Sequence, residues 1–68
     1  MKLSARNVLS GKITEVVIGQ TTARVKIQIG TGAVITASIT TEAAADLELK
    51  VGDQASAIIK ASDVIIGK

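Results

Sequence analysis

The stretch TARVKIQIGTGAVITASIT, residues 22–40, decides the fold of this chain. Apolar and polar side chains alternate along both of its halves, which is typical of strands with one buried face. The glycine-flanked turn Gly30-Thr31-Gly32 separates the two halves and predicts a β-hairpin. The predicted inward-facing residues are Ala23, Val25, Ile27 and Ile29 in the first strand and Ala33, Ile35, Ala37 and Ile39 in the second.

A longer strand is predicted upstream of the hairpin, from Val8 to Ile18. Gly11 lies inside it, and a glycine in a strand often marks a bulge or a sharp bend. Such a bend would let one long strand serve two sheets of a barrel. The residues from Gly19 to Thr22 are predicted to form the turn into the hairpin.

The second half of the chain predicts one helix and two further strands. Residues 42–47, Glu-Ala-Ala-Ala-Asp-Leu, have high helix propensity, and Thr40 or Thr41 is suited to cap the start. A turn at residues 51–53 leads to strands predicted at 55–61 and 64–66. The predicted fold class is all-β: a five-stranded OB-type barrel with one short helix, with residues 1–68 forming a single domain.

The composition predicts that the chain assembles as an oligomer. A chain of 68 residues buries a modest fraction of its surface, and small domains are usually stabilised by disulfides, a structural metal or assembly. Cys and His are both absent, so assembly is the remaining route. Hydrophobic residues make up 47% of the chain without one aromatic ring, and exposed aliphatic surface of this kind is normally an interface.

The same composition disfavours several classes of function. A nucleophilic triad or Cys-His pair cannot be built, the carboxylates are dispersed, and we expect neither catalysis nor a catalytic cofactor. A net charge of +2 and the lack of aromatic stacking platforms disfavour nucleic acid as a partner. No apolar run suggests a membrane span and the N-terminus does not resemble a secretory signal, so we expect a cytoplasmic protein without a membrane partner.

Two short clusters near the ends of the chain carry hydrogen-bond donors and contain no carboxylate. The first is Ser4-Ala5-Arg6-Asn7 and the second is Lys60-Ala61-Ser62, where an extended backbone would place Lys60 and Ser62 on one face. Charge-assisted hydrogen bonds from Arg6 and Lys60 would be the strongest contacts to a small tetrahedral dianion. On spacing alone, the alternative is that these are ordinary surface residues.

Both clusters resemble the two ends of the Mop domain, which occurs in molbindins, the small cytoplasmic molybdate-binding proteins. The similarity extends through Gly11-Lys12-Ile13, through residues 33–40 and through Leu49-Lys50-Val51-Gly52-Asp53, so that it covers essentially the whole chain. Mop domains also occur in tandem in molybdate-responsive regulators and transporter ATPases.

The resemblance implies an OB-type barrel assembled as a hexamer, a trimer of dimers, that binds and stores molybdate or tungstate between subunits, with no directly ligated metal. The residues that it assigns to oxyanion binding are Ser4, Ala5, Arg6, Asn7, Lys60, Ala61 and Ser62. Ala5 and Ala61 would contribute through backbone groups alone. A second class of site in the family cannot be placed, although Gly19-Gln20-Thr21-Thr22 is a candidate.

Two alternatives stay open at this point. One is a structural or regulatory oligomerisation module that binds anions incidentally. The other is an OB-type nucleic-acid-binding protein, which the missing aromatic residues disfavour. The absence of a separate DNA-binding or ATPase segment within these 68 residues favours the free-standing storage role.

Overall fold

The computed structural model describes residues 3–68, which form one antiparallel sheet and a short helix. The four strands lie in the order β3-β2-β1-β4. The elements in chain order are β1 (Asn7–Ile18), β2 (Thr22–Ile29), β3 (Ala33–Thr40), α1 (Thr41–Asp46) and β4 (Gln54–Ile59), followed by one 3₁₀ turn at Ala61–Asp63. Among residues 3–68, no helix is long and apolar enough to cross a membrane.

The predicted hairpin is confirmed and its register follows the hydrophobic pattern. β2 and β3 pair along their whole length, from Thr22 opposite Thr40 to Ile29 opposite Ala33. The turn between them requires a positive φ at its first residue, where Gly30 has φ +63°. Glycine adopts this conformation without steric penalty.

β1 is one long strand that pairs with two neighbours in succession. Residues 7–12 pair with β4, and residues 12–18 pair with β2, so that Lys12 has a partner on each side. Of the two features predicted at Gly11, a bulge or a sharp bend, the bulge is wrong, because the register shift of β1 against β2 lies between Ile13 and Glu15. Gly11 is instead a point of close approach, since a Cβ there would run into the carbonyl oxygen of Gln28.

Helix α1, Thr41–Asp46, confirms the predicted helix at residues 42–47, with each end one residue earlier. The Thr40 hydroxyl accepts a hydrogen bond of 3.0 Å from the Ala43 N–H, which caps the first turn. The Thr41 hydroxyl donates to the Gly19 carbonyl at 2.8 Å and ties the helix start to the β1–β2 turn. After the helix, the predicted turn at 51–53 contains Gly52 with φ +96°.

The core is small and one side of it is open. Ile13, Val25 and Ile27 form the buried cluster, and Ala23 and Ala44 are also buried. An apolar groove of about 470 Å³ lies above this cluster, between the inward faces of β3 and β4. The inward residues of these two strands are therefore half-buried; they are Ile35, Ala37, Ile39, Ala55, Ala57 and Ile59.

The prediction of a fifth strand is wrong for the single chain. Residues 64–66 have no strand partner within residues 3–68, and β4 ends at Ile59, two residues before the predicted end. β3 and β4 are the outer strands of the sheet, and within the described residues neither has a partner on its far edge. A strand needs a neighbour to accept its backbone hydrogen bonds, and residues 64–66 have none here. Ile65 and Ile66 are consequently 93% and 86% exposed.

Candidate functional site

The pairing of β1 with β4 brings the two donor clusters to the same end of the sheet. Asn7 pairs with Ile59 and Val8 with Ile58. Continuing this register by one residue beyond the last pair places Arg6 opposite Lys60. The two clusters are more than fifty residues apart in sequence, so the strand order is what makes them neighbours.

The second cluster differs in conformation from the strand that was predicted. Lys60 is extended, with φ −66° and ψ 138°, but Ala61–Asp63 form a 3₁₀ turn in which the Asp63 N–H donates to the Lys60 carbonyl at 2.9 Å. The prediction that Lys60 and Ser62 share a strand face is therefore wrong. The turn carries Ser62 away from the line of β4 instead of continuing the strand.

Asn7 occupies the first position of β1 and its side chain is already engaged. Its amide nitrogen donates to the Ile59 carbonyl oxygen at 3.1 Å, in a partly buried hydrogen bond between the two strands. This bond links the first cluster to the residue immediately before Lys60.

The remaining polar members of the clusters lie on open surface. Ser4, Arg6, Lys60 and Ser62 are all exposed. The open groove between β3 and β4 is not lined by any of them, nor is a shallower cavity of about 430 Å³ beside α1. One chain therefore presents these donors without enclosing a ligand.

The charge around the clusters is positive and not balanced by an ion pair. The ion pairs among residues 3–68 join Glu15 to Arg24 at 3.5 Å and to Lys26 at 3.8 Å. Arg6 and Lys60 have no carboxylate within 4 Å in the part of the chain that the structure describes. Two cations with neighbouring hydroxyl groups donate hydrogen bonds and suit a fully deprotonated oxyanion.

The described residues offer no set of side chains that could ligate a metal cation. Within residues 3–68, no group of three or more His, Cys, Asp or Glu side chains lies close enough together to hold one. The nearest carboxylate in sequence to the second cluster, that of Asp63, follows it directly and is exposed.

Two further cross-strand pairs continue the outward face that Arg6 and Lys60 begin, and the sequence reasoning did not single them out. Val8 and Ile58 are 52% and 46% exposed, and the next pair outward is Ser10 with Ser56, whose hydroxyl oxygens lie 3.3 Å apart. The sequence could have indicated these pairs, because side chains alternate along a strand and Val8 and Ser10 therefore lie on the same face as Arg6.

Comparison with known proteins places the chain in a family. The model of the TOBE domain matches residues 3–66. The chain belongs to the TOBE domain family. A relative of this TOBE domain from Haemophilus influenzae, a probable molybdenum-pterin-binding protein, is 45% identical over 67 residues, which cover 98% of this chain and 97% of the relative.

Solved structures similar to this TOBE domain are of molybdate-binding proteins. The one from Sporomusa ovata has a TM-score of 0.93 and 35% identity, with 100% of both chains covered. The cytoplasmic molybdate-binding protein ModG, with molybdate bound, has a TM-score of 0.91 and 46% identity, and the match covers 96% of this domain and 46% of ModG. The predicted membership of the molybdate-binding Mop group is confirmed by these relatives.

Proposed function

We propose that this TOBE domain binds molybdate or tungstate as a tetrahedral dianion and serves to store it. The observation that carries the proposal is the β1–β4 register, which ends at the Asn7–Ile59 pair and so brings the next residues, Arg6 and Lys60, to the same end of the sheet. Neither has a carboxylate partner there within residues 3–68. Additional support comes from the relatives named for molybdate or molybdenum-pterin binding.

In the proposed site, the strongest contacts are charge-assisted hydrogen bonds from Arg6 and Lys60. The hydroxyl groups of Ser4 and Ser62 add neutral donors. Ala5 and Ala61 contribute through backbone N–H groups, because a methyl side chain cannot donate. Asn7 adjoins this set at the start of β1. A site made of donors alone favours an oxyanion without a proton, since a protonated oxygen would need an acceptor.

The proposed site lies between subunits, because one chain leaves the donors on open surface. The accessible surface of the chain is 5332 Å². A compact monomer of 6.9 kDa is expected to expose about 4,000 Å². The excess of about 1,300 Å² exceeds the share that each partner buries in an interface of standard size, about 800 Å².

The proposed assembly also supplies the fifth strand of the barrel. The groove between β3 and β4 is apolar and its two edges lack strand partners within residues 3–68. Residues 64–66, Val-Ile-Ile, are apolar and exposed. We propose that this segment of one copy lies in the groove of a second copy, and that six chains assemble as a trimer of dimers, as the Mop-domain resemblance implies. Native mass measurement tests this: a monomer at micromolar concentration would contradict it.

The proposed role involves no catalysed reaction and a cytoplasmic location. Support comes from the relatives, which are named as binding proteins, and from ModG, which is described as cytoplasmic. Storage requires reversible binding, and a site of hydrogen bonds releases its ion without a covalent step.

The experiment that tests the proposal is a calorimetric titration of the assembled protein with molybdate, tungstate, sulfate and phosphate. We expect binding of molybdate and tungstate in preference to sulfate. Arg6→Ala or Lys60→Ala is expected to weaken binding by about 1.5–3 kcal/mol, the range for a hydrogen bond to a charged group.

The matched control is Lys26→Ala, which removes a cation that already lies 3.8 Å from Glu15 on the exposed face of the sheet. Its removal should leave the affinity unchanged. Equal affinity for sulfate and molybdate would contradict the proposed function, and full affinity in both Arg6→Ala and Lys60→Ala would place the site elsewhere.

A further inference from the structure

We propose that Asn7 is a positioning residue of the oxyanion site, which acts through Lys60 and does not bind the ion itself. The inference rests on the proposed function. It starts from the 3.1 Å hydrogen bond that the Asn7 amide nitrogen donates to the Ile59 carbonyl oxygen.

The strand geometry separates the Asn7 side chain from that of Arg6. Successive side chains of a strand point to opposite faces of the sheet. Along the start of β1, residues 7 and 9 are half-buried and residues 6, 8 and 10 are exposed. Arg6 therefore has the parity of the exposed face and Asn7 that of the inner face. An ion held by Arg6 and Lys60 lies on the side that Asn7 does not face.

The hydrogen bond of Asn7 fixes the peptide from which Lys60 begins. Ile59 is the last residue of β4, and its carbonyl belongs to the same rigid peptide plane as the Lys60 N–H. The β1–β4 pairing also ends at Asn7 and Ile59. Beyond this point, no backbone pairing holds Arg6 and Lys60 at a fixed separation within residues 3–68. The hydrogen bond from the Asn7 side chain to the Ile59 carbonyl is thus the last contact between β1 and β4 before Arg6 and Lys60.

Another cross-strand contact of the same ladder provides a matched control. The Ser10 and Ser56 hydroxyl oxygens lie 3.3 Å apart on the exposed face, three pairs further along β1 and β4. Ser56→Ala removes a side-chain link between the same two strands without touching the Ile59–Lys60 peptide. It should leave the ion affinity unchanged.

The test is a double-mutant cycle on the assembled protein, titrated calorimetrically with sodium molybdate. We expect Asn7→Ala to weaken binding about three- to tenfold, in keeping with the loss of one neutral hydrogen bond. In a Lys60→Ala background the same substitution should weaken binding less than twofold, because the group that Asn7 positions is gone. Residues that act as a unit are non-additive in this way, whereas independent contacts add.

A measurement without ligand tests whether the Asn7–Ile59 hydrogen bond holds the Lys60 backbone in place. Amide hydrogen exchange in the ion-free protein should become faster in Asn7→Ala at Asp63, whose N–H donates to the Lys60 carbonyl at 2.9 Å, and stay unchanged at β2 and β3. Asn7→Val, which suits a half-buried strand position and has no side-chain donor, gives the same readout if the alanine variant does not fold.

The outcomes separate the two proposals. Equal losses in both backgrounds would make Asn7 a direct ligand, and an unchanged affinity would make its hydrogen bond purely structural. Either result overturns the assignment of Asn7 while wild-type binding of molybdate stands. A wild-type protein that does not bind molybdate would refute the proposed function instead.

Discussion

Gly11 lies where β1 passes from one partner strand to the other, and replacing it by alanine should destabilise the fold strongly. A Cβ at this position would overlap the carbonyl oxygen of Gln28. It would also lie 2.7 Å from Cδ1 of Ile29 and 2.8 Å from Cγ2 of Ile27. The two isoleucine side chains have rotamers available, but the carbonyl belongs to the backbone of β2 and moves only if the β1–β2 pairing opens.

The size of the effect follows from two opposing terms. Overpacking a core typically costs about 1–3 kcal/mol, and a clash with backbone belongs at the upper end. Alanine regains about 0.5–1 kcal/mol relative to glycine in a strand, because the unfolded glycine is more flexible. The net loss is about 2 kcal/mol in the free energy of unfolding. For a domain of this size, such a loss lowers the melting temperature by roughly 8–16 °C.

The assay is thermal unfolding followed by circular dichroism, at one protein concentration because assembly makes the melting temperature depend on it. Gly32→Ala is the matched control, since no heavy atom lies within 4 Å of the Cβ that it would add and its φ lies outside the left-handed region. Its stability should change by less than about 1 kcal/mol. A Gly11→Ala protein that melts within two or three degrees (roughly 0.5 kcal/mol) of the wild type would refute the close approach of β1 to β2.

Three further predictions concern the helix, the surface and the assembly. Thr40→Ala removes the side-chain acceptor of the Ala43 N–H and should cost about 1 kcal/mol, measured by urea unfolding, whereas Thr40→Ser should retain most of that stability. Glu15→Gln abolishes two partly exposed ion pairs and should change stability by less than about 1 kcal/mol; a larger loss would show that these pairs matter to the fold. Ile65→Asp places a charge in the segment proposed to lie in the groove of a second copy, and sedimentation should show smaller species. An unchanged assembly would show that this segment is not part of the interface.

Much of the sheet was predictable because the residues that specify it lie close together in the sequence. Alternation along residues 23–29 and 33–39 sets the inward face, and the turn at Gly30 sets the register, so the hairpin could be predicted in full. The helix was equally local, since the Thr40 cap and the alanine run act over a few residues.

The errors came where the structure depends on a neighbour that the sequence does not identify. The register shift lies at two successive polar residues, Thr14 and Glu15. Gly11, where the bulge was predicted, instead allows close packing against the Gln28 carbonyl. Residues 64–66 have a strand-like composition, but the sequence does not identify the edge with which they would pair, and within residues 3–68 they pair with none.

The candidate site was predictable as chemistry but not as geometry. Donors without carboxylates near both ends of the chain suit an anion, provided that the fold or an assembly brings the two clusters together. Their adjacency depends on β4 lying next to β1, and the 3₁₀ turn at Ala61–Asp63 was not visible in the alternation pattern.

The long separation between Asn7 and Ile59 has a consequence for the order of folding. The contact closes 52 residues of chain, whereas the β2–β3 turn closes four between Ile29 and Ala33. With closure entropy growing as the logarithm of loop length, the longer loop costs about 2 kcal/mol more to close. We therefore expect the hairpin to form first and the end of the sheet that carries the proposed site last. Pulse-labelling of backbone amides during refolding would detect this as late protection at Val8 and Ile58. Selection for oxyanion binding would then act on the segment of the chain that acquires its structure latest.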